Sequence, residues 1–151
     1  MLVTTFVEFV PILQTAIGPM ILISGLGLLL LTMTNRLGRI IDRSRNLLGN
    51  IESSSPSRND IIRQEVTILW KRARYLRSAI LLASITCLCG SLLIILLFLS
   101  ALVHIDLPVL LSAIFIFSML CLNFSLIFFG IDVNLSLEAL KVNMESYKLV
   151  L

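Results

Sequence analysis

Few side chains in this sequence could do covalent or metal chemistry, and none has partners at a suitable spacing. The single histidine, His104, has one nearby carboxylate, Asp106. The three cysteines, Cys87, Cys89 and Cys121, all lie inside long apolar runs. Nucleophilic catalysis needs a positioned base, and a structural metal site needs about four ligands. We therefore expect no catalytic, cofactor or metal site and predict a protein that is not an enzyme.

Arginines offer a different chemistry, the binding of anions. Arg36, Arg39 and Arg43 follow one another at steps of three and four residues, which places them on one side of a helix. In the simpler interpretation they meet anionic lipid headgroups and fix the orientation of the chain. In the sharper interpretation several copies assemble, and these arginines form positive rings at the mouth of a pore. Only Trp70 and Tyr75 could stack on bases nearby, so nucleic acid is not an expected partner.

Three long apolar runs must position these residues. No charged residue occurs from Phe9 to Thr34, from Ser78 to Val103 or from Leu107 to Ile131. Each run exceeds the roughly 20 residues that a helix needs to cross the hydrocarbon core. The chain is 58% hydrophobic, with a mean hydropathy of +1.01. We predict an all-α membrane protein whose three transmembrane helices occupy residues 12–34, 78–103 and 107–131, with a tail at 132–151.

The first run contains Pro19 near its middle, which leaves two interpretations open. Proline removes a backbone hydrogen bond inside a helix, so a single helix from about Pro11 would be kinked there. Alternatively, residues 4–17 form a separate helix in the membrane interface, with Thr4 and Glu8 towards the headgroups. The transmembrane helix would then begin at Pro19, a favourable residue for a first helical turn.

Positive charge is distributed unevenly along the chain. Ten of the twelve basic residues lie in the segment 35–77, and the other two, Lys141 and Lys148, lie in the tail. With three spans, that segment and the tail share one side of the membrane. Basic residues are enriched on the cytoplasmic side, so we expect the amino terminus outside and the carboxyl terminus in the cytoplasm. The basic residues of the segment are Arg36, Arg39, Arg43, Arg45, Arg58, Arg63, Lys71, Arg72, Arg74 and Arg77.

The basic segment has a helical pattern of its own. Its serine- and proline-rich residues 53–57 predict a turn. After the turn, apolar residues recur at alternating steps of four and three, as in a coiled-coil seam. We predict an antiparallel helical hairpin over residues 35–77, formed by cytoplasmic extensions of the first two spans. The seam consists of Ile62, Val66, Leu69, Ala73 and Leu76.

Small and polar residues in and next to the spans indicate contacts between helices. Asn123, within the third span, is expected to hydrogen bond to a neighbouring helix. Asp132 and Glu138, just past that span, are expected to pair with arginines of the basic segment. In the second span, a stripe of small residues with a strict spacing of four would let two helices approach closely. The stripe is Ala79, Ala83, Cys87 and Ser91.

The segment Leu31–Arg45, LTMTNRLGRIIDRSR, resembles the signature of a family of small bacterial membrane proteins that is defined only as a domain of unknown function. Further similarity lies in the AIGP motif at Ala16–Pro19 and in the basic stretch Lys71–Leu76, where Tyr75 interrupts the family's R-R-x-R-L pattern. The resemblance covers nearly the whole chain. It implies a bacterial inner-membrane location and brings no activity. It directs attention to Thr34, Asn35, Arg36, Arg39, Asp42 and Arg43 as candidate functional residues.

These observations favour a non-enzymatic membrane protein that self-associates or binds a partner through its spans and hairpin. The alternative is a homo-oligomeric ion channel, lined by the first span and with arginine rings at its cytoplasmic mouth. A weaker alternative is recognition of anionic lipid headgroups by the basic hairpin.

Overall fold

The computed structural model of the chain consists of three long α-helices. α1 is Leu2–Gly49, α2 is Pro56–Val103 and α3 is Pro108–Lys148. The structure describes residues 2–49, 56–103 and 108–148, with the side chains of residues 10–11, 14–49, 59, 62–103 and 108–137. All of the secondary structure in these ranges is helical. Of the turn predicted at residues 53–57, Pro56 and Ser57 instead begin α2, and the other three residues lie outside the described residues. His104 and the side chain of Glu138 also lie outside them.

Each helix contains a stretch that is long and apolar enough to cross a membrane. These stretches are Gln14–Gly49, Ile62–Val103 and Pro108–Leu137. They carry large apolar side chains, such as Leu88 and Phe117, that are exposed in the single chain. Such side chains suit contact with lipid tails, and a helix satisfies its own backbone there. The prediction of an all-α membrane protein with three transmembrane helices is confirmed.

α1 continues as one helix through both of its prolines, Pro11 and Pro19. Of the two alternatives for this region, the structure contains the single helix, and residues 4–17 are not a separate element. A proline interrupts only one backbone hydrogen bond, so a helix can continue through it.

The helices contribute to two compact units. The first unit comprises Met1–Leu30 and Leu82–Phe124, and the second comprises Leu31–Leu81 and Ser125–Leu151. Each unit therefore contains a part of all three helices and has its own buried residues.

Small residues of α2 contribute to the contacts between helices in the first unit. The Ser118 hydroxyl donates to the carbonyl oxygen of Thr86 over 3.4 Å. The Thr86 hydroxyl lies 3.4 Å from the carbonyl oxygen of Ser118 and 3.0 Å from that of Leu82 on its own helix, so the two acceptors share its single donor. Gly90 lies against α1, where an added Cβ would be 3.4 Å from the side chain of Ile23. Short side chains at these positions allow the close approach that stabilises helix pairs in lipid. The buried side chains of this unit include Ala16, Leu26, Ala83, Thr86, Leu93, Ser118 and Cys121.

Buried residues of the second unit recur every seven positions. On α1 these are Met33 and Ile40, and on α2 they are Ile62, Leu69 and Leu76. The other members of the predicted seam, Val66 and Ala73, are half-buried. A repeat of seven keeps one side of a helix against its neighbour over several turns. The same face of α2 continues to Ala79, whose carbonyl oxygen accepts a hydrogen bond of 2.7 Å from the Ser125 hydroxyl of α3.

The predicted stripe of small residues follows the packing face of α2 only in part. Ala79 and Ala83 are buried, Cys87 is half-buried and Ser91 is exposed. A spacing of four advances about 40° around the helix at each step, so three steps turn Ser91 about 120° away from Ala79. After Ala83 the buried face instead takes a step of three, to Thr86.

Candidate functional site

A buried carboxylate on α3 forms the centre of the second unit's polar contacts. The side chain of Asp132 has 0% exposure. Its Oδ1 accepts a hydrogen bond of 3.2 Å from Nε of Arg72 on α2. Its Oδ2 lies 3.3 Å from Nη2 of Arg36 on α1, as an ion pair without the alignment of a hydrogen bond. Asp132 therefore joins all three helices through charge, and we call these three residues the Asp132 triad.

The triad forms where the apolar runs end. Arg36 and Asp132 are the first charged residues after the first and third runs. Arg72 lies seven residues before the buried Ala79, which places the two on the same side of α2. Arg74 and Arg77 are nearer to the second run, yet they are exposed. Helix packing thus selects Arg72 as the partner of Asp132.

Both arginines of the triad are partly withdrawn from solvent. The side chain of Arg72 is 13% exposed and that of Arg36 is 24% exposed. The Arg36 guanidinium also lies over the ring of Phe129, 5.3 Å from the centroid. A buried carboxylate without a partner would cost several kcal/mol, and two guanidinium groups offset that cost. With two positive charges and one negative charge, the triad carries a net charge of +1.

A second ion pair links α1 and α2. Arg43 donates through Nε to Oε1 of Glu65 over 3.0 Å, and its Nη2 contacts the same oxygen. Arg43 follows Arg36 by seven residues, and Glu65 precedes Arg72 by seven. The order of the partners is therefore reversed along the two helices, as an antiparallel pair requires. Unlike the triad, this pair is accessible to solvent, since the Arg43 side chain is 58% exposed.

The candidate residues of the LTMTNRLGRIIDRSR segment divide between paired and outward positions. Arg36 and Arg43 pair with carboxylates of the chain, as described above. Asn35, Arg39 and Asp42 are exposed. Asp42 makes no ion pair with a described residue, although two arginines lie three positions from it. Exposed Thr34 donates to the carbonyl oxygen of Leu31 over 3.1 Å.

α2 presents basic residues on the side opposite its packing face. Lys71, Arg74 and Arg77 are exposed there, together with Trp70, a residue that is 63% exposed. The Arg74 guanidinium lies 5.7 Å from the centroid of the Trp70 ring. We call these four residues the outer basic face of α2. Tryptophan and arginine together are typical of the boundary between lipid tails and headgroups.

Asn123 on α3 carries the amide for which a hydrogen bond to a neighbouring helix was predicted. The structure places it on the exposed side of α3. Its Nδ2 donates to the carbonyl oxygen of Met119, one turn earlier on the same helix, over 2.9 Å. No hydrogen bond from Asn123 to another helix occurs among the described residues. The predicted contact with a neighbouring helix thus has no counterpart in that part of the chain.

Arg72 and Asp132 are central to the site but were not predicted to be functional. Asp132 was expected to pair with arginines of the basic segment, and for Asp132 this is confirmed. Neither residue was among the candidate functional positions. The available signal was the position of Asp132, a lone acid directly after an apolar run of 25 residues, Leu107–Ile131.

The fold and its charge pairs define a small membrane protein of three helices, tied together by the Asp132 triad. The chain belongs to the family described as "Protein of unknown function (DUF2721)", whose model matches residues 16–142. A family of unknown function is what the sequence resemblance indicated. No curated protein and no solved structure matches the chain.

Proposed function

We propose that this chain is a non-enzymatic protein of the bacterial inner membrane that works by binding. It associates with further copies of itself or with a protein partner, through its spans and the basic hairpin of residues 35–77. Its amino terminus is outside, and its basic segment and carboxyl terminus are in the cytoplasm. The uneven distribution of basic residues supports this orientation.

The observation that carries the proposal is the division of the basic residues in the second unit. Arg36, Arg43 and Arg72 are paired with carboxylates of the chain. The outward cations have no described carboxylate within ion-pair distance. The ion pairs hold the three helices together, so the outward cations have fixed positions on the surface. Positive charges in fixed positions suit recognition of an acidic partner. The outward cations are Arg39, Arg45, Arg63, Lys71, Arg74 and Arg77.

The channel alternative loses support from the same contacts. It needs the charges of Arg36, Arg39 and Arg43 to point into a shared pore. Arg36 is directed to Asp132 and Arg43 to Glu65, which leaves Arg39 as the one member of the set without a described carboxylate partner. A ring of single arginines has less positive charge than the stacked rings that this alternative requires.

Recognition of anionic lipid is a second candidate, favoured by the outer basic face of α2. Trp70 and Arg74 combine an interfacial aromatic ring with a cation. Each basic residue near an anionic surface contributes about 1 kcal/mol, and salt weakens the attraction. In liposomes, the candidate predicts enrichment of anionic over neutral lipid around the protein. Replacement of Lys71, Arg74 and Arg77 with Gln should abolish that enrichment.

Photo-cross-linking in living bacteria tests the binding function. A photoreactive amino acid is placed at exposed Arg45 or Arg74, and at buried Leu76 as the matched control. Defined protein adducts at the outward positions and none at Leu76 are expected. Outward positions that give only lipid adducts would contradict binding of a protein through the basic hairpin and favour the lipid candidate.

Topology reporters test the orientation separately. A fluorescent protein that folds only in the cytoplasm is fused after the last residue, and a phosphatase active only outside is fused there in a second strain. Fluorescence without phosphatase activity is expected. The reverse result would overturn the orientation and leave the binding proposal to its own test.

A further inference from the structure

Asn123 faces away from the other helices of its own chain. Ser118 and Cys121 are buried on α3, and Asn123 is exposed only two residues after Cys121. Two residues turn a helix by about 200°, so Asn123 lies nearly opposite Cys121. Ser112 and Ile116, which are 11 and seven residues earlier, are exposed on the same side. We call Ser112, Ile116 and Asn123 the Asn123 face.

The amide of Asn123 has more hydrogen-bonding groups than its own helix can satisfy. A primary amide carries two N–H donors and a carbonyl acceptor. One N–H is used by the Met119 carbonyl oxygen. The exposed hydroxyl of Ser91 differs, because its single donor is already used by the carbonyl oxygen of Leu88 over 2.9 Å. Asn123 is thus left with a donor and an acceptor that have no partner among the described residues.

The unpaired donor and acceptor of Asn123 are costly because of the depth of this residue in the membrane. It lies inside the membrane-spanning stretch Pro108–Leu137, close to the middle of that stretch. The hydrocarbon core contains no water to bind an amide, so polar side chains there hydrogen bond across helices. An outward amide at this depth therefore indicates a partner helix.

We infer that the Asn123 face is the contact surface for a second copy of this chain, in a dimer whose two-fold axis runs along the membrane normal. This inference rests on the binding function proposed above. Two copies inserted in the same direction have Asn123 at the same depth. Each amide can then donate to the carbonyl oxygen of the other, because the group is both donor and acceptor. Asn123 of a second copy thus provides the missing hydrogen-bond partner for Asn123 of the first.

Oxidative cross-linking in membranes tests the surface. Cys87, Cys89 and Cys121 are first replaced in the full-length chain, and a single cysteine is then introduced by Asn123→Cys or Ile116→Cys. Phe124→Cys is the matched control, because Phe124 is exposed and at nearly the same depth but about 100° away around α3. Disulfide-linked dimers are expected at positions 123 and 116. Cross-linking at 124 equal to that at 123, or none at 123, would overturn the inference.

Two substitutions that keep the native cysteines test the hydrogen bond itself. In lipid bilayers, Asn123→Leu should raise the dimer dissociation constant about tenfold, the scale of one to two hydrogen bonds between membrane helices. Asn123→Gln keeps the donors and the acceptor and should stay within about threefold of the unchanged protein. Equal affinity for all three proteins, measured by energy transfer between labelled copies, would contradict a role for the amide.

The outcomes separate this inference from the proposed function. A protein that forms dimers but cross-links elsewhere than at 123 would overturn the Asn123 face and leave the binding function intact. Adducts between position 123 and a different membrane protein would also overturn the inference, because the Asn123 face would then bind that protein and not a second copy of this chain. A chain that stays single in native membranes and gives no adduct at its outward arginines would overturn both.

Discussion

Nε of Arg72 donates a hydrogen bond of 3.2 Å to Oδ1 of Asp132, although 60 positions separate the two residues in the chain. This contact joins α2 to α3, and Arg36 completes it from α1. The candidate arginines of this protein are therefore divided by their surroundings into charges that hold helices together and charges that face outwards. Substitution of a charge that holds helices together should therefore destabilise the protein more than substitution of an outward charge.

Removing the central carboxylate should destabilise the protein strongly. Asp132→Asn leaves two partly buried guanidinium groups without a countercharge, and breaking buried pairs in this way costs about 3–5 kcal/mol. The free energy of unfolding can be measured by a denaturing-detergent titration, followed through the fluorescence of Trp70, the single tryptophan. Asp42→Asn is the control, because Asp42 is exposed and should change stability by less than about 0.5 kcal/mol. An equal loss of unfolding free energy in the two variants would show that the Asp132 triad does not stabilise the contacts between the helices.

The contact between Arg72 and Asp132 should appear as energetic coupling. In a double-mutant cycle with Arg72→Gln and Asp132→Asn, groups in direct contact give coupling energies of about 0.5–3 kcal/mol. Exposed Arg39 is not within ion-pair distance of a described carboxylate, so the cycle of Arg39→Gln with Asp132→Asn should be additive. Coupling of the same size in both cycles would indicate a general effect of net charge instead of the specific contact.

The pair of Arg43 and Glu65 should behave as an exposed ion pair. Its loss through Glu65→Gln should cost about 0.2–1 kcal/mol, and added salt should reduce that cost because solvent ions screen the pair. The effect of Asp132→Asn should depend less on salt, because Asp132 is buried. Unfolding titrations at low and high ionic strength give the comparison. A cost for Glu65→Gln that rises with salt would contradict this assignment.

The hydroxyl of Ser125 should contribute more to stability than that of Ser91. Ser125 donates across helices to the Ala79 carbonyl oxygen over 2.7 Å, whereas Ser91 donates within its own helix. Hydrogen bonds between membrane helices contribute about 0.6 kcal/mol on average and at most about 1.7 kcal/mol. Ser125→Ala should lose an energy in that range, and Ser91→Ala should lose close to none. Unfolding measurements that rank the two variants in the opposite order would contradict the assigned contact.

The sequence predicted the spans well because a membrane imposes a simple requirement of length and apolarity. Runs without charge between Phe9 and Thr34, Ser78 and Val103, and Leu107 and Ile131 correspond to the three helices able to cross it. The continuity of α1 could not be predicted in the same way. Pro19 is compatible with a helix start and with a helix interior, so its residue type alone does not distinguish the two.

The sequence predicted that Asp132 pairs with an arginine of the basic segment, but it did not predict which arginine. Ten basic residues lie in the segment 35–77, and charge alone does not distinguish them. The rotation of α2 does, because the buried seam through Leu69 and Leu76 turns Arg72 inwards and leaves Arg74 outside. That rotation depends on packing between helices, which a single sequence does not specify residue by residue.

Asn123 illustrates the opposite case. Its amide within an apolar run predicted a hydrogen bond to another helix. The direction of the side chain was not predictable from one residue, because any face of α3 could have met the rest of the chain. The burial of Ser118 and Cys121 fixes the packing face and turns Asn123 outwards.

We expect this membrane protein to work by binding to further copies of itself or to a protein partner. The most direct measurement is the mass of particles extracted from native membranes together with their lipid, without detergent, by native mass spectrometry. The binding function predicts masses that correspond to two or more protein chains, with a chain mass of 16.8 kDa for this protein. Particles that contain a single copy and no other protein, at every expression level, would contradict it.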